Sequence, residues 1–322
     1  MTMFRATFPA VWILAACADS DLAGFEVVAD LPDGRMDHPY QGALSAEGAS
    51  GAVTFEIVDG ALPPGLDLDP DGDVTGTPEA WGTFSFSVTA WDPLDAITVD
   101  LSLEVLPVVL VSGFEPFGDF DLNTSWESIV PLENEVIAGL DVRVALLPVE
   151  WNAAWSTLEP EIEAYDPIAT LGTGQAGWHA MRFETTARNQ QEGTDEAGIE
   201  RNGEEVVPGG PATLSSALPI EEMRTAMERA GHTVRVSDNA GTYLCNDIFY
   251  HLETDGLASG RVTGFLHVPP PDSEAFPIAE VTAAHRVGLE ALALFLASEV
   301  ARRIPSVDLH ATPSYVRSQD VP

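Results

Sequence analysis

The sequence predicts an α/β protein with a mostly parallel sheet, preceded by a small all-β domain. From Pro107 onward, short continuous apolar runs alternate with helical stretches, which is typical of strands that are buried on both faces and linked by helices. Before Pro107, apolar and polar residues alternate with a period of two, and turn clusters separate the segments. The length of 322 residues is sufficient for two domains.

The all-β domain is predicted to span residues 25–106. Its alternating segments are Val53–Val58, Thr83–Trp91 and Ile97–Val105. A turn cluster, Leu62–Pro78, separates the first two segments and resembles the "LPPGL…G…GTP" pattern of small immunoglobulin-like modules on bacterial surface proteins. The resemblance implies an immunoglobulin-like sandwich, a module that usually spaces or presents another domain.

Four aspartates in that cluster, Asp67, Asp69, Asp71 and Asp73, have the spacing that begins an EF-hand calcium loop. The twelfth loop position should hold a bidentate glutamate but is Pro78. A hairpin turn with solvated carboxylates explains the proline and glycine content by itself, so we expect a turn and no metal.

The α/β domain is predicted to span residues 107–304, followed by a polar tail, 305–322. Its strands are predicted at 108–111, 142–147, 168–171, 233–236 and 262–266. Ile220, Met223 and Met227 form one apolar helix face, and Gly231 ends that helix. Residues 278–304 read as a long final helix.

Charge and composition exclude several kinds of function. The chain has 51 acidic and 14 basic residues, a formal net charge of −37, so its surface repels nucleic acid and anionic lipid headgroups. All the basic residues are arginines. The absence of lysine excludes a P-loop lysine, a Schiff-base lysine and a Ser–Lys dyad.

Residues 1–24 are predicted to be a lipoprotein-type signal peptide with a short tether. Arg5 precedes an apolar stretch that is too short to span a bilayer. Leu14-Ala15-Ala16-Cys17 resembles the bacterial lipobox, in which the cysteine is lipidated; an ordinary cleavage site is the alternative. We therefore expect an exported lipoprotein of the bacterial cell envelope that meets the membrane only through its lipid.

Cys245 is the leading candidate for a reactive group. If Cys17 carries lipid, Cys245 has no partner in the chain, because these are the only two cysteines. It lies where a turn runs into a helix, and a thiolate in the first turn of a helix is stabilised by free N–H groups and the helix dipole. A buried, inert cysteine is the alternative.

A thiol nucleophile needs a base, and His267 is the best candidate. It ends the predicted strand 262–268, and the carboxyl ends of parallel strands carry the sites of such sheets. His179 is a weaker rival. The other histidines are discounted by their position in the all-β domain, in the tail, or in or beside helices where we expect them to be solvated: His38, His310, His232, His251 and His285.

Gly172-Thr173-Gly174-Gln175-Ala176-Gly177 matches the G-x-G-x-x-G pattern of dinucleotide sites, directly after a predicted strand. The residues that follow do not form a convincing helix, and two strands precede the motif, whereas a Rossmann fingerprint sits on the first strand. We therefore predict no nucleotide cofactor.

Several segments, taken in order, resemble the pyroglutamyl peptidase I family across about residues 108 to 300. They are 108–118 ("VVLVSGFEPFG"), 123–127, 174–177, 209–212, 237–246 and 264–269. The block around Cys245 matches the family's cysteine pattern throughout. The resemblance implies a three-layer α/β/α sandwich and a cofactor-free cysteine peptidase that removes N-terminal pyroglutamyl residues from peptides.

The family triad maps onto Cys245, His267 and Glu184, because 184–189 resembles the family's "ER-x-A-x-N". The resemblance also implies that Phe114 and Phe117 flank the lactam ring and that Gln175 lines the pocket. Backbone N–H groups near Cys245 and the glycine-rich turn are expected to stabilise the oxyanion.

Around Glu184 the sequence departs from the family pattern. The basic residue after the acid is replaced by Thr185, and Trp178-His179 replaces Gly-Arg. Two alternatives therefore stay open: a surface binding protein with impaired catalysis, and a thiol hydrolase that acts on a different amide.

Overall fold

The computed structural model describes residues 25–177, 180–271 and 276–303, with the side chains of the last range described as far as Ser298. A strand-rich unit comes first along the chain, and an α/β unit follows it. Only Leu106 and Pro107 lie between the last strand of the first unit and the first strand of the second.

The first unit is a sandwich of two antiparallel sheets. Its strands are β1 (Glu26–Asp30), β2 (Tyr40–Glu47), β3 (Thr54–Gly60), β4 (Leu66–Leu68), β5 (Asp73–Gly76), β6 (Gly82–Trp91) and β7 (Ala96–Val105). One sheet has the order β1-β2-β5-β4 and the other β3-β6-β7. Leu44 of one sheet and Val88 of the other lie in the same buried core. The predicted immunoglobulin-like sandwich is therefore confirmed.

The acidic cluster forms a hairpin between β4 and β5, which pair antiparallel. Gly72 donates its N–H to the Asp69 carbonyl at 2.9 Å and has φ of 104°. A Cβ on Gly72 would lie 2.2 Å from the Leu44 carbonyl oxygen, so only glycine fits this turn. The turn interpretation thus accounts for the cluster, and among the described residues no group of three or more His, Cys, Asp or Glu is placed to hold a metal ion.

The second unit is built around a seven-stranded sheet with the order β17-β12-β18-β11-β8-β10-β9. Its elements are β8 (Val108–Phe114), α1 (Thr124–Glu127), β9 (Val136–Ile137), β10 (Leu140–Leu147), α2 (Ala153–Tyr165), β11 (Ala169–Gln175), β12 (Met181–Glu184), β13 (Thr186–Arg188), β14 (Gln191–Thr194), β15 (Glu200–Glu204), β16 (Thr213–Ser215), α3 (Ile220–Arg229), β17 (Val234–Ser237), α4 (Leu244–Ser259), β18 (Val262–Val268) and α5 (Ile278–Arg303). Strands β18, β11, β8 and β10 run parallel, whereas β12 joins β18 antiparallel and β9 joins β10 antiparallel.

Helices cover both faces of this sheet. Val109 and Val111 of β8 contribute to a core with α3 and α5, while Leu110 contributes to a second core with α2 and α4. Neighbouring residues of a strand point to opposite faces, so every residue of β8 is buried. The predicted three-layer α/β/α sandwich with a mostly parallel sheet is confirmed.

Helix α5 contains the stretch Ile278–Ser298, which is long and apolar enough to cross a membrane by length and composition. Its side chains Val281, Leu289 and Leu292 are fully buried against α3 and the sheet. The stretch therefore forms part of the packed core of the α/β unit.

The two units meet at the end of the sheet where β8 and β10 begin. Arg143 of β10 donates to the Met36 carbonyl at 2.6 Å, and Trp81 donates its indole N–H to the Asp166 carbonyl at 2.7 Å. The carboxylate of Asp141, fully buried, is paired with Arg35 of the first unit and with Arg143. Since the parallel strands run away from this junction, their carboxyl ends lie on the far side of the α/β unit.

Candidate active site at the carboxyl edge of the sheet

His267 and Glu184 come together because β12 runs antiparallel to β18. In that pairing Glu184 lies opposite Phe265, two residues before His267. Residues two apart on a strand share a face, so the Glu184 and His267 side chains project to the same side of the sheet. Glu184 Oε1 lies 2.8 Å from His267 Nδ1, and Glu184 is fully buried while His267 is 3% exposed.

This hydrogen bond determines how the imidazole can act. An ionised carboxylate only accepts hydrogen bonds, so Nδ1 carries a hydrogen and the other ring nitrogen is left for the thiol. Burial lowers the pKa of His267, but the hydrogen bonds and negative charges of Cys245 and Glu184 outweigh it and raise that pKa to about 9. The raised pKa favours the protonated form of the ring.

Cys245 is the second residue of α4, a half-buried free thiol. The helix is capped by Tyr243, whose side chain accepts no hydrogen bond from the first turn. Because the first N–H groups of a helix have no intrahelical acceptor, they remain available beside the sulfur. The structure thus confirms that the thiol lies where a turn runs into a helix.

The first two glycines of the motif, Gly172 and Gly174, are required because there is no room for a side chain at either position. Gly172 and Gly174 lie inside β11 and not in a turn after it. A Cβ on Gly174 would be 2.5 Å from the Cys245 sulfur, and one on Gly172 would be 2.5 Å from the Phe265 ring. The expected glycine-rich turn with free N–H groups is therefore wrong, since these residues belong to a sheet ladder and the Ala176 N–H donates to the Val268 carbonyl at 2.9 Å. The N–H groups at the start of α4 are the backbone donors that remain beside the sulfur.

The start of α4 is held by side chains that the sequence reasoning did not single out. Buried Asn246 accepts from the Arg188 N–H at 2.8 Å and donates to the Arg188 and Gln190 carbonyls at 2.8 and 2.9 Å. The Tyr243 hydroxyl donates to the Thr194 carbonyl at 3.0 Å. These bonds tie α4 to the segment that follows Glu184, so the thiol and the carboxylate share one scaffold. Tyr243 and Asn246 both lie in the block around Cys245 that resembles the peptidase family. That block is the sequence signal by which they could have been identified.

A pocket of about 250 Å³ opens beside the sulfur. Its lining includes Phe114, Phe117, Val149, Gln175, Tyr243, Cys245 and His267. Gln175 is 6% exposed; its Oε1 accepts from the Thr124 N–H at 2.8 Å, and its Nε2 has no acceptor among the described residues. The pocket is thus a mostly apolar, ring-sized space with a buried amide donor in its wall.

The structure brings the six residues predicted for the α/β unit to this one place. Cys245, His267, Phe114, Phe117 and Gln175 line the pocket, and Glu184 contacts His267 from behind. Cys17, the predicted lipidation site, lies outside the described residues. So do two histidines, His179 and His310.

The expectation that three histidines are solvated is wrong. The His232 side chain is 7% exposed and pairs with Glu280 at 2.7 Å. His251 stacks on Trp155 with ring centres 4.6 Å apart, and burial lowers its pKa to about 4. His285 is 2% exposed, and burial likewise lowers its pKa to about 4. Contacts with residues far along the chain cover these side chains, for example Glu280 for His232 and Trp155 for His251. The position of each histidine in the sequence does not show such contacts.

Comparison with known proteins agrees with this geometry. The family description "Pyroglutamyl peptidase" matches residues 108–291, and "Putative Ig domain" matches residues 31–105. A pyrrolidone-carboxylate peptidase of Yersinia pseudotuberculosis is 33% identical over 211 residues, which cover 63% of this chain and 96% of that protein. One from Escherichia fergusonii is 35% identical over 192 residues, covering 56% of this chain and 88% of that protein.

Solved structures give the same result. Pyroglutamyl peptidase I of Bacillus amyloliquefaciens is 27% identical, with a TM-score of 0.55 over 58% of this chain and 97% of that one. A mutant pyrrolidone carboxyl peptidase from Pyrococcus furiosus is 28% identical, with a TM-score of 0.56 over 59% of this chain and 99% of that one. The chain belongs to the pyroglutamyl peptidase family, with an immunoglobulin-like domain in front of the peptidase domain.

Proposed function

We propose that this protein is a cysteine exopeptidase that hydrolyses the bond after an N-terminal pyroglutamyl residue, with Cys245, His267 and Glu184 as its triad. The observation that carries the proposal is the buried Glu184–His267 hydrogen bond of 2.8 Å, with His267 and the free thiol of Cys245 at a helix start both lining one apolar pocket. A carboxylate that orients a base, and a base beside a nucleophile, are the groups that catalyse acyl transfer.

The reaction follows from these positions. The Cys245 thiolate adds to the pyroglutamyl carbonyl carbon, and the N–H groups at the start of α4 stabilise the oxyanion. The intermediate expels the amine, which takes its proton from His267, and a thioester remains on the sulfur. Water then gives a proton to His267 and attacks the thioester, which releases pyroglutamate and restores the thiolate. Glu184 holds the ring in position and stabilises its positive charge throughout.

The pocket suits a small neutral ring. The lactam has one N–H and one carbonyl, and the faces of Phe114 and Phe117 provide apolar contact for its methylene groups. The Gln175 Nε2 supplies a donor for the lactam carbonyl, which would give that buried amide the partner it lacks among the described residues. A prolyl group of similar size carries a charged amine and no ring carbonyl, so it loses this bond and adds a desolvation cost.

A substrate panel tests the proposal. Fluorogenic amides carrying pyroglutamyl, prolyl, glutaminyl or alanyl groups should show cleavage of the pyroglutamyl amide alone, with a preference on the order of 10⁴-fold because the competitors leave buried polar groups unpaired. Preferential cleavage of another amide would support the divergent thiol hydrolase. Binding of pyroglutamyl peptides without cleavage would support the surface binding protein; the intact hydrogen bond between Glu184 and His267 favours catalysis.

We also infer export and lipid anchoring through Cys17, supported by the lipobox-like Leu14-Ala15-Ala16-Cys17. Residue 25 begins the immunoglobulin-like domain, which contacts the peptidase domain on the side away from the pocket. An anchor at Cys17 would then leave the pocket open to peptides. Bacteria expressing the full chain should incorporate labelled fatty acid into it, and Cys17→Ser should abolish the label. Recovery of unlabelled protein with Met1 intact would contradict the inference.

A further inference from the structure

Asn239 lies in the wall of the pocket, on the loop between β17 and α4. Its side-chain oxygen accepts two hydrogen bonds, one from Arg188 Nη1 at 2.5 Å and one from the Gly241 N–H at 3.2 Å. Among the described residues, none is hydrogen-bonded to its side-chain nitrogen. The amide is therefore held by its oxygen alone, in the same pocket as Cys245.

The chemistry of these two contacts fixes which way round the amide lies. Guanidinium and backbone N–H groups only donate hydrogen bonds, so the atom that faces Arg188 and Gly241 must be the oxygen. Arg188 is itself held in place, since its Nη2 donates to the Asp238 carbonyl at 3.2 Å. Its backbone N–H and carbonyl are both bound by the buried side chain of Asn246. The amide nitrogen is thus left in a fixed position with two N–H groups to donate.

The pocket has a second amide donor, Gln175, and the two differ in depth. Gln175 is 6% exposed, whereas Asn239 lines the pocket and yet is exposed, which places it at the pocket's mouth. In the proposed function the buried Gln175 amide serves the lactam ring, and the start of α4 serves the carbonyl that Cys245 attacks. The part of a substrate left for Asn239 is the part that emerges from the pocket, which is the first residue of the leaving peptide.

We propose that Asn239 binds the leaving peptide, with its Nδ2 donating a hydrogen bond to the backbone carbonyl of the residue that follows the pyroglutamyl group. The inference rests on the proposed function and adds recognition of the leaving group. The carbon of that carbonyl is two bonds beyond the scissile nitrogen, so every peptide substrate presents it close to the site of attack, whatever its side chains. A peptide in the mouth also shields Nδ2 from water, and a donor that loses water costs free energy unless an acceptor replaces it.

The test compares two substrates with the same pyroglutamyl group: pyroglutamyl-alanyl-alanine amide, which has the carbonyl, and pyroglutamyl β-naphthylamide, whose leaving group has none. The full chain and its variants are compared by kcat/KM, measured as release of the amine. Asn239→Asp keeps an oxygen for Arg188 and Gly241 but has no N–H to donate, whereas Asn239→Ala loses both. In each variant we expect the peptide-to-naphthylamide ratio of kcat/KM to fall about fivefold from the wild-type ratio, the effect of one lost hydrogen bond.

Asn202→Ala is the matched control, because this exposed amide lies on β15 and does not line the pocket. It should leave the ratio unchanged. An unchanged ratio in either Asn239 variant would overturn the inference while leaving the peptidase activity established. A loss of equal size on both substrates would be such a result, and it would mean that Asn239 only holds the loop. Failure of the wild type to cleave either substrate would overturn the proposed function and this inference with it.

Discussion

Cys245→Ala should abolish hydrolysis of pyroglutamyl amides, lowering kcat by about 10⁴-fold or more, because the variant has no nucleophile to form the thioester. The fold should persist: Cys245 is half-buried, and its sulfur packs on Gly174, so truncation removes a contact without crowding a neighbour. Initial rates with the purified full chain, together with matching thermal unfolding curves, would check both statements.

Cys17→Ser is the matched control for this substitution, since it removes the other cysteine of the chain. Its activity should equal that of the wild type. Alkylation offers an independent readout: iodoacetamide should modify Cys245 rapidly at neutral pH, because the thiolate is stabilised by the His267 imidazolium and the helix start. Trypsin places Cys245 on the fragment 236–261, between two arginines, so mass spectrometry can follow it alone. Residual turnover in Cys245→Ala above the blank would contradict its role as the nucleophile.

Glu184→Gln should lower kcat by about 10³-fold, because glutamine cannot stabilise the imidazolium charge and no longer enforces the tautomer of His267. A second effect separates this role from mere packing. In the wild type, activity should fall as pH rises through about 9, since the amine leaves with the proton of His267 and that pKa is raised to about 9. Glu184 contributes to the rise, so in the variant the alkaline fall should move to lower pH.

Glu253→Gln is a stringent control for Glu184→Gln. Glu253 is 3% exposed, lies in the same domain on α4 and accepts a hydrogen bond from the Thr263 hydroxyl at 3.0 Å. Burial raises its pKa to about 8, so it is mostly neutral at pH 7 and amide replacement preserves its charge state. It should leave kcat/KM within about a factor of two and leave the alkaline fall in place. Near-normal activity of Glu184→Gln would move the orienting role to another group.

The local patterns of the sequence were sufficient for the fold class. Period-two alternation predicted β3, β6 and β7, and continuous apolar runs predicted β8, β10, β11 and β18. These patterns show which face of a strand or helix is buried, so they can be recognised in the sequence without knowing which other element packs against that face. They failed for β1, whose five residues Glu26–Asp30 carry charges at both ends and show no strong alternation. They also failed for β12, because Met181–Glu184 is short and its acidic residue is buried by a partner far along the chain.

For the site, the sequence by itself determined the chemistry of its parts: one thiol free for reaction, a histidine at a strand end and a block of residues around Cys245 that matches a peptidase family. The tertiary structure decided how those parts act. Only the antiparallel pairing of β12 with β18 brings Glu184 to His267, 83 residues away. Only the packing of α4 on β11 shows why Gly174 must lack a side chain. The tertiary structure likewise decided that His232, His251 and His285 are buried, since the solvent exposure of a side chain depends on neighbours that the local sequence does not specify.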